Sequence, residues 1–92
     1  MESLDDMRKS IDNIDNAIIA MFAERFKITD RIGTYKAHHK LPAKDAAREE
    51  VQFARVLALA EQYGLDQNFA QQYLRSMIDQ VIARHQSQAN LQ

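Results

Sequence analysis

The chain has no cysteine, one proline and two glycines. Without cysteine, disulfide bonds and thiolate catalysis are excluded, and the cytoplasm is the expected compartment. Because turn-forming residues are so few, a small number of long helices is favoured over a sheet. No apolar run approaches the roughly 18 residues that a membrane span needs, so no membrane partner is expected. The first six residues carry three acids and no signal-peptide pattern.

The chain also lacks a strong excess of charge, with twelve Lys and Arg against thirteen Asp and Glu. A general nucleic-acid binder would show a basic surplus, so no nucleic-acid partner is expected. Residues 1–92 form one small domain, which has little room for a core of its own. The positions of the cations therefore matter more than their number.

A long helical pattern occupies the first third of the sequence and predicts a helix over about 4–37. No proline or glycine precedes Gly33. A helix of this length would be roughly 50 Å long, whereas a compact domain of this size has a radius of gyration of about 12 Å. Its apolar positions recur in steps of three and four and form what we call the apolar seam: Leu4, Met7, Ile11, Ile14, Ile18, Met21, Ile28 and Ile32. The projecting seam needs a partner, which predicts a helical homodimer.

Three basic residues lie on or beside this seam. Arg25 fills the one gap in it, between Met21 and Ile28. A buried arginine needs an anionic partner or a water-filled pocket, so both a structural salt bridge and a ligand site remain open. Arg8 and Lys36 lie beside the seam, four heptads apart and therefore on the same flank of the helix. The simpler interpretation of these two residues is that their charged ends extend into water.

The rest of the chain predicts a loop over 38–43 and two further helices, over about 44–63 and 66–88. Pro42 disfavours helix at the preceding residue, and Gly64 is a typical left-handed helix cap. The fold class is therefore all-α, with three helices per chain. The adjacent His38 and His39 do not suggest a metal site, because neighbouring side chains point in different directions. The predicted core side of the second helix comprises Val51, Phe53, Val56, Leu57 and Ala60.

The later helices add two more groups of candidate site residues. Asp45, Arg48 and Glu49 share one face of the first turn of the second helix, where local ion pairing alone could explain them. His85 ends an apolar row on the third helix, which is typical of a core-edge histidine bonded to a neighbouring backbone or carboxylate group. With no nucleophile, metal-ligand set or phosphate loop, the cations suit a small dianionic ligand, and catalysis would depend on orientation and electrostatics without a cofactor.

From Met7 to about Gln86, the chain resembles the small all-helical bacterial chorismate mutases. The segments that carry the resemblance are Met7-Arg8-Lys9-Ser10-Ile11-Asp12, Ile14-Asp15, Ala23-Glu24-Arg25, Ile32-Gly33-Thr34-Tyr35-Lys36, Leu41-Pro42, Asp45-Ala46-Ala47-Arg48-Glu49 and Gly64-Leu65-Asp66. The resemblance implies two chains intertwined into one homodimer with two active sites. It also implies the Claisen rearrangement of chorismate to prephenate, a step toward phenylalanine and tyrosine in the shikimate pathway.

The resemblance further implies a role for each charged candidate. Arg8 would reach into the partner subunit's site and, with Arg25, hold the two substrate carboxylates. Lys36 would contact a carboxylate and the ether oxygen, and Arg48 would add positive potential. The ring hydroxyl would be bound by two acids, Asp45 and Glu49.

Two positions depart from the family pattern in the third helix. Many members have a serine and then a glutamine where this chain has Val81 and His85. Val81 cannot form a hydrogen bond, whereas His85 can donate one to the ether oxygen, either as a charged ring or in one neutral tautomer. A role for His85 would make activity pH-dependent between about pH 5 and 8. A small change of register would bring in Gln86 instead.

Two other functions remain open from the sequence. An isochorismate-pyruvate lyase uses the same scaffold with a similar set of cations. A non-catalytic helical dimer that binds a partner would tolerate Arg25→Leu with a gain in stability. The product formed from each substrate would distinguish these three functions.

Overall fold

The computed structural model describes residues 2–91 and contains three α-helices: α1 (Leu4–His38), α2 (Ala46–Tyr63) and α3 (Gln67–Asn90). The predicted all-α class with three helices is confirmed, and residues 2–91 contain no strand. None of these helices combines the length and apolar character needed to cross a membrane. Compared with the sequence expectation, α1 ends one residue later, α2 begins two residues later and α3 continues to Asn90.

Polar caps fix where the helices begin and end. Asp45 has an extended backbone and its carboxylate accepts a hydrogen bond from the Arg48 backbone N–H at 3.0 Å, so α2 starts after it. Asp66 caps α3 in the same way, and Ser3 with Asp6 forms a reciprocal capping box at the start of α1. Gly64 ends α2 with φ of 69°, a left-handed conformation that glycine adopts without steric cost.

The helix α3 packs against both α1 and α2 and supplies most of the core. The buried apolar residues are Ala60, Ala70, Leu74, Met77 and Ile78. The chain is elongated, with extents of 58 × 25 × 14 Å and a radius of gyration of 16.8 Å. A compact chain of this length would have a radius of gyration of about 12 Å, so α1 extends well beyond the packed part of the molecule.

The apolar seam is exposed along its whole length. Each of its eight side chains is 43–66% accessible to solvent, from Leu4 at the free end to Ile32 beside α3. A continuous apolar stripe of this kind on a small protein marks an interaction surface. The core of a single chain therefore does not bury the apolar seam, for which the sequence predicts a partner helix.

Gly33 is the position where α1 and α3 approach most closely. A Cβ atom built there would lie 2.6 Å from Cδ2 of His85 and would also collide with the Gln88 side chain. The Gln88 amide donates hydrogen bonds to the Asp30 carbonyl at 2.9 Å and to Thr34 Oγ1 at 3.2 Å. The missing side chain at Gly33 thus lets α3 bring His85 against α1.

A salt bridge on the outer surface also joins these two helices. Arg84 Nε donates to Asp30 Oδ1 at 2.8 Å, a second guanidinium nitrogen binds Oδ2, and the guanidinium lies 4.7 Å above the centre of the Phe26 ring. These hydrogen bonds from Arg84 hold the pKa of the Asp30 carboxyl below its ordinary value. The pair ties α1 to α3, and neither residue lines the two cavities described below.

Candidate active site

A cavity of about 270 Å³ lies between the three helices and the loop that joins α1 to α2. We call it the main cavity. Its lining comes from α1 (Arg25, Ile28, Thr29, Ile32, Lys36), the loop (Ala43, Asp45), α2 (Arg48, Glu49, Gln52) and α3 (Ile78, Val81, Ile82, His85). Seven of the eight site residues expected from the sequence line it, and the eighth, Arg8, does not.

The charged lining of the main cavity is dominated by cations without internal partners. Arg25, Lys36 and Arg48 form no ion pair with any carboxylate in residues 2–91. Isoleucine and valine side chains make up much of the remaining wall. Uncompensated positive charge beside an apolar surface favours a small anion that also has an apolar part.

Arg25 reaches the main cavity from the middle of α1. Its side chain is half-buried, and Nη1 is fully buried with no hydrogen-bond partner among the described residues. A structural salt bridge, one of the two interpretations open from the sequence, is absent from residues 2–91. A buried guanidinium nitrogen without a partner is costly unless a ligand or another chain binds it.

Lys36 lines the main cavity and is held there by the interhelical loop. Its Nζ donates to the Ala43 carbonyl at 3.1 Å, and the Leu41 backbone N–H donates to the Lys36 carbonyl at 2.8 Å. An ammonium group has three donors, so two remain for a bound anion. The loop therefore orients Lys36 without using up its hydrogen-bonding capacity.

Glu49 is the buried acid of the site, with only 8% of its surface accessible. Its Oε1 accepts a hydrogen bond from Nη2 of Arg75 at 3.0 Å, and this bond raises the pKa of the Arg75 guanidinium. Its Oε2 is buried and has no hydrogen-bond partner among residues 2–91. One carboxylate oxygen is thus bound by the protein, whereas the other has no hydrogen-bond partner among the described residues.

His85 is 4% accessible, and its Nε2–H donates to the Thr29 carbonyl at 2.8 Å. Because a carbonyl only accepts, Nε2 carries the hydrogen. In this orientation a neutral ring has no second N–H, so donation to a ligand requires a charged ring with a hydrogen on Nδ1. The Nδ1 atom is buried without a partner among the described residues. Gln86 is exposed and does not line the cavity.

Arg8 lies on the projecting part of α1 and is exposed. It precedes Arg25 by seventeen residues in the same helix, which corresponds to about 25 Å along the helix axis. The Arg8 side chain therefore cannot reach the main cavity of its own chain.

Sequence reasoning missed several residues at the site. Gln52 and Thr29 line the main cavity, and each lies one helical turn from a residue that was identified, Arg48 or Arg25. A search at a spacing of four residues from Arg25 and Arg48 would have identified both.

A second cavity of about 350 Å³ adjoins the same two arginines, and Arg55 also lines it. Arg75 could not have been found, because its contact with Glu49 joins residues 26 apart on different helices.

Comparisons with known proteins agree with this geometry. The chorismate mutase type II family matches residues 7–86. A chorismate mutase of Methanocaldococcus jannaschii is 29% identical over 79 residues, covering 86% of this chain and 80% of the relative. A bifunctional chorismate mutase/prephenate dehydratase of Aquifex aeolicus is 42% identical over 65 residues, covering 70% of this chain and 18% of the relative.

A third relative is the T-protein of Haemophilus influenzae. It is 32% identical over 75 residues, which cover 82% of this chain and 20% of the relative. This chain thus matches about a fifth of each of the two larger relatives and most of the Methanocaldococcus jannaschii enzyme. The match over residues 7–86 extends through all three helices. This chain belongs to the chorismate mutase type II family.

Proposed function

We propose that this protein catalyses the Claisen rearrangement of chorismate to prephenate, as the named relatives suggest. The observation that carries the proposal is the main cavity, where Arg25, Lys36 and Arg48 meet with no internal carboxylate partner. Chorismate is a dianion with an apolar ring edge, which suits cations set among isoleucines. The reaction is intramolecular and needs no nucleophile or cofactor.

The cations would bind and orient the substrate. Arg25, together with Arg8 of the partner subunit, would hold its carboxylates, while Arg48 would add positive potential. A charge-assisted hydrogen bond of this kind contributes about 1.5–3 kcal/mol. Holding both carboxylates at once selects the compact diaxial conformer, in which the reacting carbons are close together.

Lys36 would stabilise the transition state. Negative charge grows on the ether oxygen as the C–O bond breaks, and an ammonium group fixed beside it stabilises that charge. The hydrogen bond from Lys36 to the Ala43 carbonyl fixes the ammonium before the substrate arrives. Preorganisation of this kind avoids reorganisation during the reaction.

Asp45 and Glu49 would accept the hydrogen bond of the ring hydroxyl. The buried Oε2 of Glu49 has no other partner among residues 2–91, which makes it the better placed acceptor. Val81 would form an apolar wall. His85 would act on the ether oxygen only when its ring is charged, since its Nε2–H is already bound to Thr29.

We also propose that two chains form an intertwined homodimer through the apolar seam. The seam is exposed over its full length, and Arg8 projects from the same half of α1. In a two-fold symmetric dimer, each Arg8 would be delivered to the partner's cavity. The partner subunit's Arg8 would then bind a substrate carboxylate together with Arg25.

The direct experiment is to incubate the purified protein with chorismate and, separately, with isochorismate. We expect prephenate from chorismate at a rate far above that of buffer alone. Salicylate and pyruvate from isochorismate, with no prephenate from chorismate, would instead establish the lyase. No product from either substrate would contradict both enzymatic functions and leave the non-catalytic module.

A further inference from the structure

Arg75 binds the site acid from outside the main cavity. It lies on α3 and does not line the cavity, yet its Nη2 donates to Oε1 of Glu49 at 3.0 Å. Two other contacts fix the guanidinium: it lies 4.9 Å above the centre of the Phe53 ring, and Nη1 binds Asp79 at 3.4 Å. The Arg75 guanidinium is therefore held in place by both α2 and α3.

The contact has a direct consequence for the Glu49 carboxylate. A buried carboxylate without a countercharge is costly, and it lowers that cost by rotating toward water. Arg75 supplies the countercharge at one oxygen, which fixes the rotation of the group. The other oxygen, Oε2, remains an acceptor without a partner among residues 2–91.

We propose that Arg75 is a positioning residue that holds the Glu49 carboxylate in the orientation in which Oε2 can accept a hydrogen bond from the substrate hydroxyl. This inference rests on the proposed function. Arg75 itself would not touch the substrate. Its effect on activity would pass entirely through Glu49.

The chain offers a matched control on the same helix. Arg84 also lies on α3, binds an acid across the helix interface and covers an aromatic ring, and its side chain is exposed to a similar degree, 46% against 44% for Arg75. Its partner Asp30 does not line the main cavity. Replacing either arginine by methionine removes an ion pair between α3 and another helix, but only Arg75→Met acts on a site residue.

The experiment measures kcat and KM for chorismate with Arg75→Met, Arg75→Lys, Arg84→Met, Glu49→Gln and the double variant. Because the hydroxyl contact exists in both bound substrate and transition state, we expect Arg75→Met to raise KM about tenfold and to change kcat by less than about threefold. Arg75→Lys should restore most of the loss, since the contact with Glu49 uses a single nitrogen. Arg84→Met should leave KM within about twofold.

The double variant separates positioning from simple structural support. If Arg75 acts through the charge of Glu49, Arg75→Met should change KM by less than about twofold once Glu49→Gln is present. Equal effects in both backgrounds, or an equal rise in KM with Arg84→Met, would overturn the inference while leaving the proposed function in place. A wild-type protein without activity would overturn the proposed function and this inference together.

Discussion

Replacing Arg25 by leucine is expected to lower kcat/KM for chorismate by about 10- to 150-fold, because a charge-assisted hydrogen bond to a substrate carboxylate contributes about 1.5–3 kcal/mol. The same change should leave stability unchanged or raise it, because a half-buried guanidinium with an unbound Nη1 gives way to an apolar side chain. Loss of activity with retained stability is typical of a functional cation.

Kinetics and thermal unfolding of the purified variant would measure both effects. Arg31→Leu is the matched control, since Arg31 lies on the same helix, is exposed and lines neither cavity. The control should keep kcat/KM within about twofold of the wild type. Full activity in Arg25→Leu would show that Arg25 has no part in catalysis.

Introducing aspartate at Ile14 is expected to dissociate the proposed homodimer. Ile14 lies mid-seam and is exposed in the single chain. Burying an isoleucine side chain contributes about 1.5–3 kcal/mol, and a symmetric dimer would lose this twice. The dissociation constant should therefore rise at least about hundredfold, and activity should fall with the dimer population.

Sedimentation equilibrium over a range of protein concentrations would measure the dissociation constant. Asn16→Asp is the control: it adds the same charge in the same helix, at an exposed position roughly opposite the seam. That variant should remain as dimeric as the wild type. A wild-type protein that sediments as a monomer at all concentrations would contradict the proposed dimer.

The fold could be predicted because each element is determined by local chemistry. The apolar spacing identified the long first helix, and Ser3, Gly64 and Asp66 identified helix ends that the structure contains. Asp45 was placed inside the second helix, whereas its side chain caps that helix from outside. Capping depends on backbone angles, which the sequence pattern does not specify to one residue.

The packing of the second helix was predicted less well. Val51 was expected on its core side but is 56% exposed, whereas Ala60 is buried. The two residues are nine positions apart, about 180° around the helix, so packing against α3 on one side buries Ala60 and leaves Val51 exposed. In a chain this small, part of an apolar face can remain uncovered until another chain binds.

The candidate site followed largely from the resemblance, and the structure brings Arg25, Lys36, Arg48, Glu49 and His85 to one cavity. The sequence did not predict the internal hydrogen-bond partners of these side chains, such as the Thr29 carbonyl for His85. The bond from His85 to the Thr29 carbonyl depends on how α3 packs at Gly33. Contacts of this kind join residues far apart in sequence and leave no spacing pattern.

The most direct measurement is a subunit-mixing assay with two inactive variants, Arg8→Ala and Arg25→Ala, unfolded together and refolded in equal amounts. If a shared site needs Arg8 from one chain and Arg25 from the other, each mixed dimer contains one intact site. Half of the dimers should be mixed, so we expect about a quarter of wild-type activity to return. Activity no higher than the sum of the two variants would contradict a cationic site shared between two chains.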